Sequence, residues 1–168
     1  VAVLVAEKDK SPPLVWFYSL ATGQRVHHLN LTQGILEHIA PRHRKGADED
    51  WCHANTLSLA YHPEIAYLTC AYEGVFAVHL STGLVSWGLG PRTMKRKLPP
   101  LSSQRKFFVH EAVPVGTNGL LYFDNSLNAA VQLKMSPSNS AKRERVLPVA
   151  GSKFMGSTQP LPSGGILV

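Results

Sequence analysis

An all-β fold follows from three features of the 168-residue chain. Gly and Pro are abundant, at 13 and 12 residues. Short runs rich in Val, Leu, Phe and Tyr, the residues that suit a pleated and half-buried surface, follow one another between turn residues. No segment of a dozen residues carries convincing helical periodicity. The predicted strands are Val1–Ala6, Leu14–Leu20, Arg25–Leu31, Thr56–Tyr61, Ile65–Cys70, Gly74–Leu80, Leu84–Leu89, Phe107–Val115, Gly119–Phe123, Ala129–Met135, Arg145–Val149 and Gly165–Val168. The best helical candidate is Thr32–Ile39.

Internal repeats organise these strands. LVWFYSLATGQRV from Leu14 and GVFAVHLSTGLVSW from Gly74 both run an apolar strand into Thr-Gly and on into a second strand. Gly23 and Gly83 supply the positive φ of a tight turn, sixty residues apart. A second recurrence starts at His53, His110 and Gly156, each time a strand, a Pro- or Gly-bearing turn and an apolar strand. Repeats near 40–50 residues with about four strands each are the pattern of a β-propeller. The predicted domain is therefore a partial β-propeller over 1–168, with blade-like repeats near 1–50, 51–105 and 106–150 and the start of another at 151–168. About three blades fit, and a ring needs at least four, so the sequence reads as a piece of a longer protein. It also begins and ends inside strand-like runs, so a missing secretory signal fixes no compartment. In this alignment His53 and His110 occupy matching positions at the start of an innermost strand, with Gly156 breaking the pattern.

Composition narrows the function classes. At 44% hydrophobic and 17% charged, the chain is globular rather than disordered. No apolar run reaches membrane-spanning length. The net charge of +6 gathers at Arg42, Arg44 and Lys45; at Arg92, Lys95, Arg96 and Lys97; at Arg105 and Lys106; and at Lys142, Arg143 and Arg145. These stretches read as loops, either solubilising or forming a rim that attracts anions. Aromatic residues do not interleave with them apart from Phe107 and Phe108, which argues against nucleic acid. No phosphate-cradling glycine loop, zinc spacing or metal-ligand cluster is present, so no cofactor is expected. Cys52 and Cys70 are open to either a disulfide or two buried thiols. Asn30-Leu31-Thr32 is a glycosylation triplet.

Linked motifs then point to one family. DWCHANTLSL with its later STGLVSWGLGP, then VHEAVPVGTNGLLYFDN, then GSTQPLPSGGILV, resemble in order the segments of bacterial-type arylsulfotransferases from about Asp50 to Val168. The resemblance implies a six-bladed propeller, of which this chain would cover about three blades. It implies sulfuryl transfer from a phenolic sulfate to a phenol, without a nucleotide donor and through a sulfohistidine. The matching nucleophile is His110, and His53 with Asn55 would bind the sulfuryl group. Asp50 and Trp51 would position that strand. Family membership would also imply a periplasmic or secretory location; the sequence leaves the oligomeric state open. The chain departs from the family where an arginine belongs, near Ala71 or Tyr72, and where an aspartate follows the nucleophile, here Glu111. Two further readings stand beside the enzyme: a non-catalytic propeller of the same lineage that binds a ligand or protein, and a quinone-cofactor dehydrogenase with similar Thr-Gly and Trp signals.

Overall fold

The computed structural model describes residues 2–5, 14–39, 52–59, 62–91, 108–136, 140–150 and 156–168, the first of these by its backbone alone. These residues form an all-β protein with one short helix. In chain order the elements are β1 (Ala2–Val5), β2 (Leu14–Tyr18), β3 (Arg25–Asn30), α1 (Thr32–Leu36), β4 (Ala54–Leu59), β5 (Ile65–Cys70), β6 (Gly74–His79), β7 (Val85–Leu89), β8 (Val109–Val115), β9 (Gly119–Asp124), β10 (Ala129–Met135), β11 (Ala141–Pro148), β12 (Gln159–Pro160) and β13 (Ile166–Leu167). Every pairing is antiparallel between chain neighbours. The sheets are β1-β2-β3, β4-β5-β6-β7, β8-β9-β10-β11 and β12-β13. Among the described residues no helix is long and apolar enough to cross a membrane.

The two Thr-Gly turns close in the same way. Gly23 N–H donates to Ser19 O at 2.9 Å, and Gly83 N–H donates to His79 O at 2.8 Å. Each threonine hydroxyl also accepts from the backbone two residues on, Thr22 from Gln24 and Thr82 from Leu84, both at 3.3 Å. The glycines have φ of +67° and +73°, which an L side chain adopts only under strain. The sixty-residue recurrence is thus one turn built twice, linking the last two strands of two successive sheets.

Burial follows the strand period of two. In β6, Phe76 and Val78 face a core containing Val15, Leu29, Leu31, Ile35, Ile39 and the two cysteines. Val75, on the other face of the same strand, joins Leu89, Val109, Ala112, Leu120, Tyr122, Val131 and Leu133. The second sheet is therefore packed on both faces, with the first sheet and α1 on one side and the third sheet on the other. This explains why β6 reads as an unbroken apolar run rather than an alternation. Phe76 is fully buried, so Phe76→Ala should cost about 3–5 kcal/mol of stability.

The helix is shorter than the predicted Thr32–Ile39. Its N-cap is Leu31, without a side-chain cap, and the Asn30 carboxamide oxygen accepts from Thr32 N–H at 3.0 Å. The helix ends at Leu36, and His38 then turns inward and donates from Nε2 to Val85 O at 2.8 Å. The basic cluster Lys142, Arg143 and Arg145 also differs from expectation, because it lies on β11 and not in a loop. Charge on such an edge strand discourages pairing with another chain. The other three basic clusters lie outside the described residues. The strand that the repeat starting at Gly156 places before its turn is the short β12, which pairs with β13 through Gln159↔Leu167 and Pro160↔Ile166.

Neighbouring sheets are joined by hydrogen bonds as well as by apolar packing. Val109 N–H donates to Ala71 O at 2.9 Å, and Ala112 N–H donates to the Thr69 hydroxyl at 3.1 Å. Thr158 N–H donates to Glu111 Oε2 at 3.2 Å, tying the last hairpin to β8. Gly156 sits on the Phe123 ring, where an added Cβ would lie 2.2 Å from Cδ1. Because Phe123 is fully buried and cannot swing away, Gly156→Ala should destabilise the protein by about 1–3 kcal/mol. Urea unfolding of Gly156→Ala with and without Phe123→Leu measures it; a recovery in the double variant identifies the ring as the cause.

Candidate functional site

The predicted site residues meet at the seam between β4 and β8. The Asn55 amide nitrogen lies 3.1 Å from His110 Nδ1 and 3.3 Å from Val109 O. Two β-bulges produce this contact. The β4–β5 register slips between Ala54 and Thr56, which makes Asn55 the extra residue. The β8–β9 register slips between His110 and Val113. Bulges bend a strand and re-aim its side chains, and here they turn an asparagine and a histidine towards each other across two sheets. Two non-glycine residues beside them have positive φ, His53 at +45° and Glu111 at +39°. Strain of this kind costs of order 1–3 kcal/mol per residue and persists where surrounding contacts enforce it.

The register corrects the predicted equivalence of His53 and His110. Ala54 pairs with Cys70, the last residue of β5, and Val109 pairs with Asp124, the last residue of β9. Ala71 N–H donates to His53 O, and Asn125 N–H donates to Phe108 O, in the same place of each sheet. His53 therefore corresponds to Phe108, and His110, opposite Phe123, takes the place of Thr56, opposite Thr69, with Asn55 the extra residue before it. Aligning HANT with HEAV by eye misplaces the histidines by two residues, because the strand pairing on both sides of the bulges matches Ala54 with Val109 and Leu59 with Pro114. The two histidines still share one neighbourhood, through a row of rings. His53 lies 5.8 Å from Tyr72, Tyr72 stacks on Phe108 at 5.2 Å, and Phe108 meets His110 edge-on at 4.9 Å between centroids.

His110 is half-buried and its pKa is lowered, first by loss of solvent and then by the nearby His53. It is accordingly neutral at pH 7. An amide NH2 can only donate, so Nδ1 accepts from Asn55 and the neutral ring carries its proton on Nε2. Nε2 is buried and has no hydrogen-bond partner among the described residues. Asn55 thus contacts His110 directly. Replacing Asn55 with Asp should raise the His110 pKa, because a carboxylate beside the ring favours the imidazolium and accepts from Nδ1–H. Asn55→Leu should leave the pKa lowered. Following the His110 ring protons by NMR against pH separates the two variants; equal titrations would remove Asn55 from the role of setting the tautomer.

Cys52 and Cys70 form a disulfide, resolving the alternatives left by their sequence positions. It joins the entry of β4 to the end of β5, beside His53 on one side and Ala71 on the other. Where the family pattern places an arginine, Ala71 is buried and its carbonyl accepts from Val109, while the neighbouring Tyr72 is 46% exposed. Glu111 bonds Thr158 N–H and so serves the next hairpin. Asp50, Trp51, Arg42, Arg44 and Arg92 lie outside the described residues.

Two residues were not singled out from sequence. Tyr72 and Phe108 connect the histidines, and only a shared turn and seam bring them together. The buried Asp124, its pKa raised chiefly by burial, accepts from Ser126 and Leu127 N–H and closes the β9–β10 turn, a structural role. Among the described residues no group of three or more His, Cys, Asp or Glu side chains could hold a metal ion. No protein-family model, no curated protein and no solved structure matches the chain.

Proposed function

We propose that the chain is part of a β-propeller whose seam between β4 and β8 carries out sulfuryl transfer between phenols. The observation that carries this reading is the direct contact of a neutral His110 with Asn55 across two successive four-stranded sheets. Sequential antiparallel sheets packed face to face, with β4 and β8 side by side, support the propeller.

In the proposed reaction a His110 nitrogen attacks the sulfur of a phenolic sulfate. The N–S bond forms as the S–O(aryl) bond breaks, and the phenolate leaves. A second phenol then attacks the sulfur, the N–S bond breaks, and its proton passes to solvent. The two-step route gives ping-pong kinetics. A lowered pKa keeps the nucleophile neutral over the physiological range. Attack through Nε2 requires the ring proton on Nδ1, so the Asn55 amide must turn and offer its oxygen. His53 lies on the same side and could donate to the sulfuryl oxygens as charge develops.

One observation favours a second reading, a non-catalytic propeller that binds a ligand or a partner protein. In the arrangement described, Nδ1 is occupied and Nε2 is buried, and Ala71 and Tyr72 stand where a sulfate-gripping arginine would be expected. The deciding assay supplies the full-length protein with 4-nitrophenyl sulfate and a phenol. Release of 4-nitrophenol that depends on acceptor and on His110 supports transfer. No turnover by folded protein leaves the binding reading.

A further inference from the structure

We infer that Tyr72, backed by Phe108, is a stacking subsite for a planar phenolic ring. The inference takes the ligand's phenolic identity from the proposed function, but the stacking itself needs no chemistry at His110.

Three observations carry it. First, Tyr72 is 46% exposed although it is held between two rings, His53 at 5.8 Å and Phe108 at 5.2 Å. A large aromatic fixed in orientation yet open to solvent has already lost the rotamer freedom that binding would otherwise take from it. Second, the turn closes through backbone groups: Cys70 pairs with Gly74, and Glu73 N–H donates to Cys70 O at 3.2 Å. This closure makes no use of the Tyr72 ring. Third, the row ends at His110, the residue that contacts Asn55. Phe108 already stacks on one side of Tyr72, so a ligand ring takes the exposed part of Tyr72, in the same row of rings as that histidine.

The chemistry of the surface selects the ligand. Stacked rings favour a flat π-system over a saturated one of equal size, because the ring quadrupoles are complementary when offset. Phe108 carries no charge and His110 is held neutral, so neither places a fixed cation beside Tyr72. The subsite suits the neutral phenol acceptor better than an anionic group.

Titration calorimetry with 2-naphthol, and with its saturated analogue 2-decalol, tests the assignment on the full chain. The wild type should bind 2-naphthol at least about tenfold more tightly than 2-decalol. Tyr72→Phe should stay within about twofold of wild type, and Tyr72→Leu should weaken 2-naphthol about tenfold. Tyr72→Ser, a second replacement at this exposed turn position, guards against a folding failure peculiar to leucine and should weaken binding similarly. Equal binding of the two probes, or unchanged affinity in Tyr72→Ser and Tyr72→Leu, overturns the assignment, as does wild type that binds neither probe. Binding of 2-naphthol that depends on Tyr72 in a protein with no sulfuryl transfer would uphold the subsite while ending the transfer reading.

Discussion

His110→Ala is expected to lower release of 4-nitrophenol from its sulfate by at least about a thousandfold, the scale seen when a covalent nucleophile is removed. The protein should remain folded, because the side chain is only half-buried and, among the described residues, hydrogen-bonds to Asn55 alone. The pH profile gives a second check. With its pKa below the usual 6.5, His110 turns neutral at lower pH than a free histidine. Activity should rise with pH, inflect below 6.5 and stay level through neutrality. Stability should move in the same direction. The unfolded chain takes up a proton at 6.5, whereas the folded chain takes one up only at lower pH, so stability falls as pH drops from 6.5 through the folded value. His110→Ala should flatten that slope. Turnover by His110→Ala within tenfold of wild type would sink the nucleophile assignment.

Loss of the Cys52–Cys70 disulfide is expected to cost about 3 kcal/mol, the chain-entropy value for a closed loop of similar size to the 18-residue separation here. For a chain of this length that corresponds to a fall in Tm of roughly 6–12 °C. A double Cys52→Ala, Cys70→Ala variant compared with wild type by thermal melting measures it. Wild type melted with a phosphine reductant should approach the double variant. Both cysteines are buried in the core shared with Leu68 and Phe76, so part of the loss in the double variant comes from packing. A Tm change under 2 °C in both experiments would show that the bridge does not constrain this part of the chain.

Most of the strands were legible because their burial obeys a simple period and their turns use residues with local reasons to be there. The Thr-Gly turns at Gly23 and Gly83 are the clearest case. Each needs positive φ and a hydroxyl that accepts from the chain two residues on, and sequence displays both. His110 and Asn55 were also legible as residues of interest, because polar side chains at strand starts stand out. Their relation was not. Bulges at Asn55 and after His110 insert one residue each at different points, and a register slip leaves no trace in composition or alternation. The aromatic row was hidden for a related reason. Tyr72 looked like the absence of an arginine, and its partner Phe108 looked like the start of a buried strand. Only the joined sheets make them neighbours. The disulfide was undecidable because eighteen residues of separation fit paired and unpaired strands equally.

Each four-stranded sheet is made of consecutive hairpins and can form from local contacts, whereas Asn55 and His110 meet only when two such sheets dock. Local hairpins close early and seams between them close late. The site is therefore the last part of this structure to assemble and among the first to open. Amide exchange at Val109 and Ala112, whose N–H groups bond across the seam, should report sub-global opening well below the free energy that protects the centre of β6. Function here is tied to the integrity of a joint between cooperative units rather than to the stability of either unit.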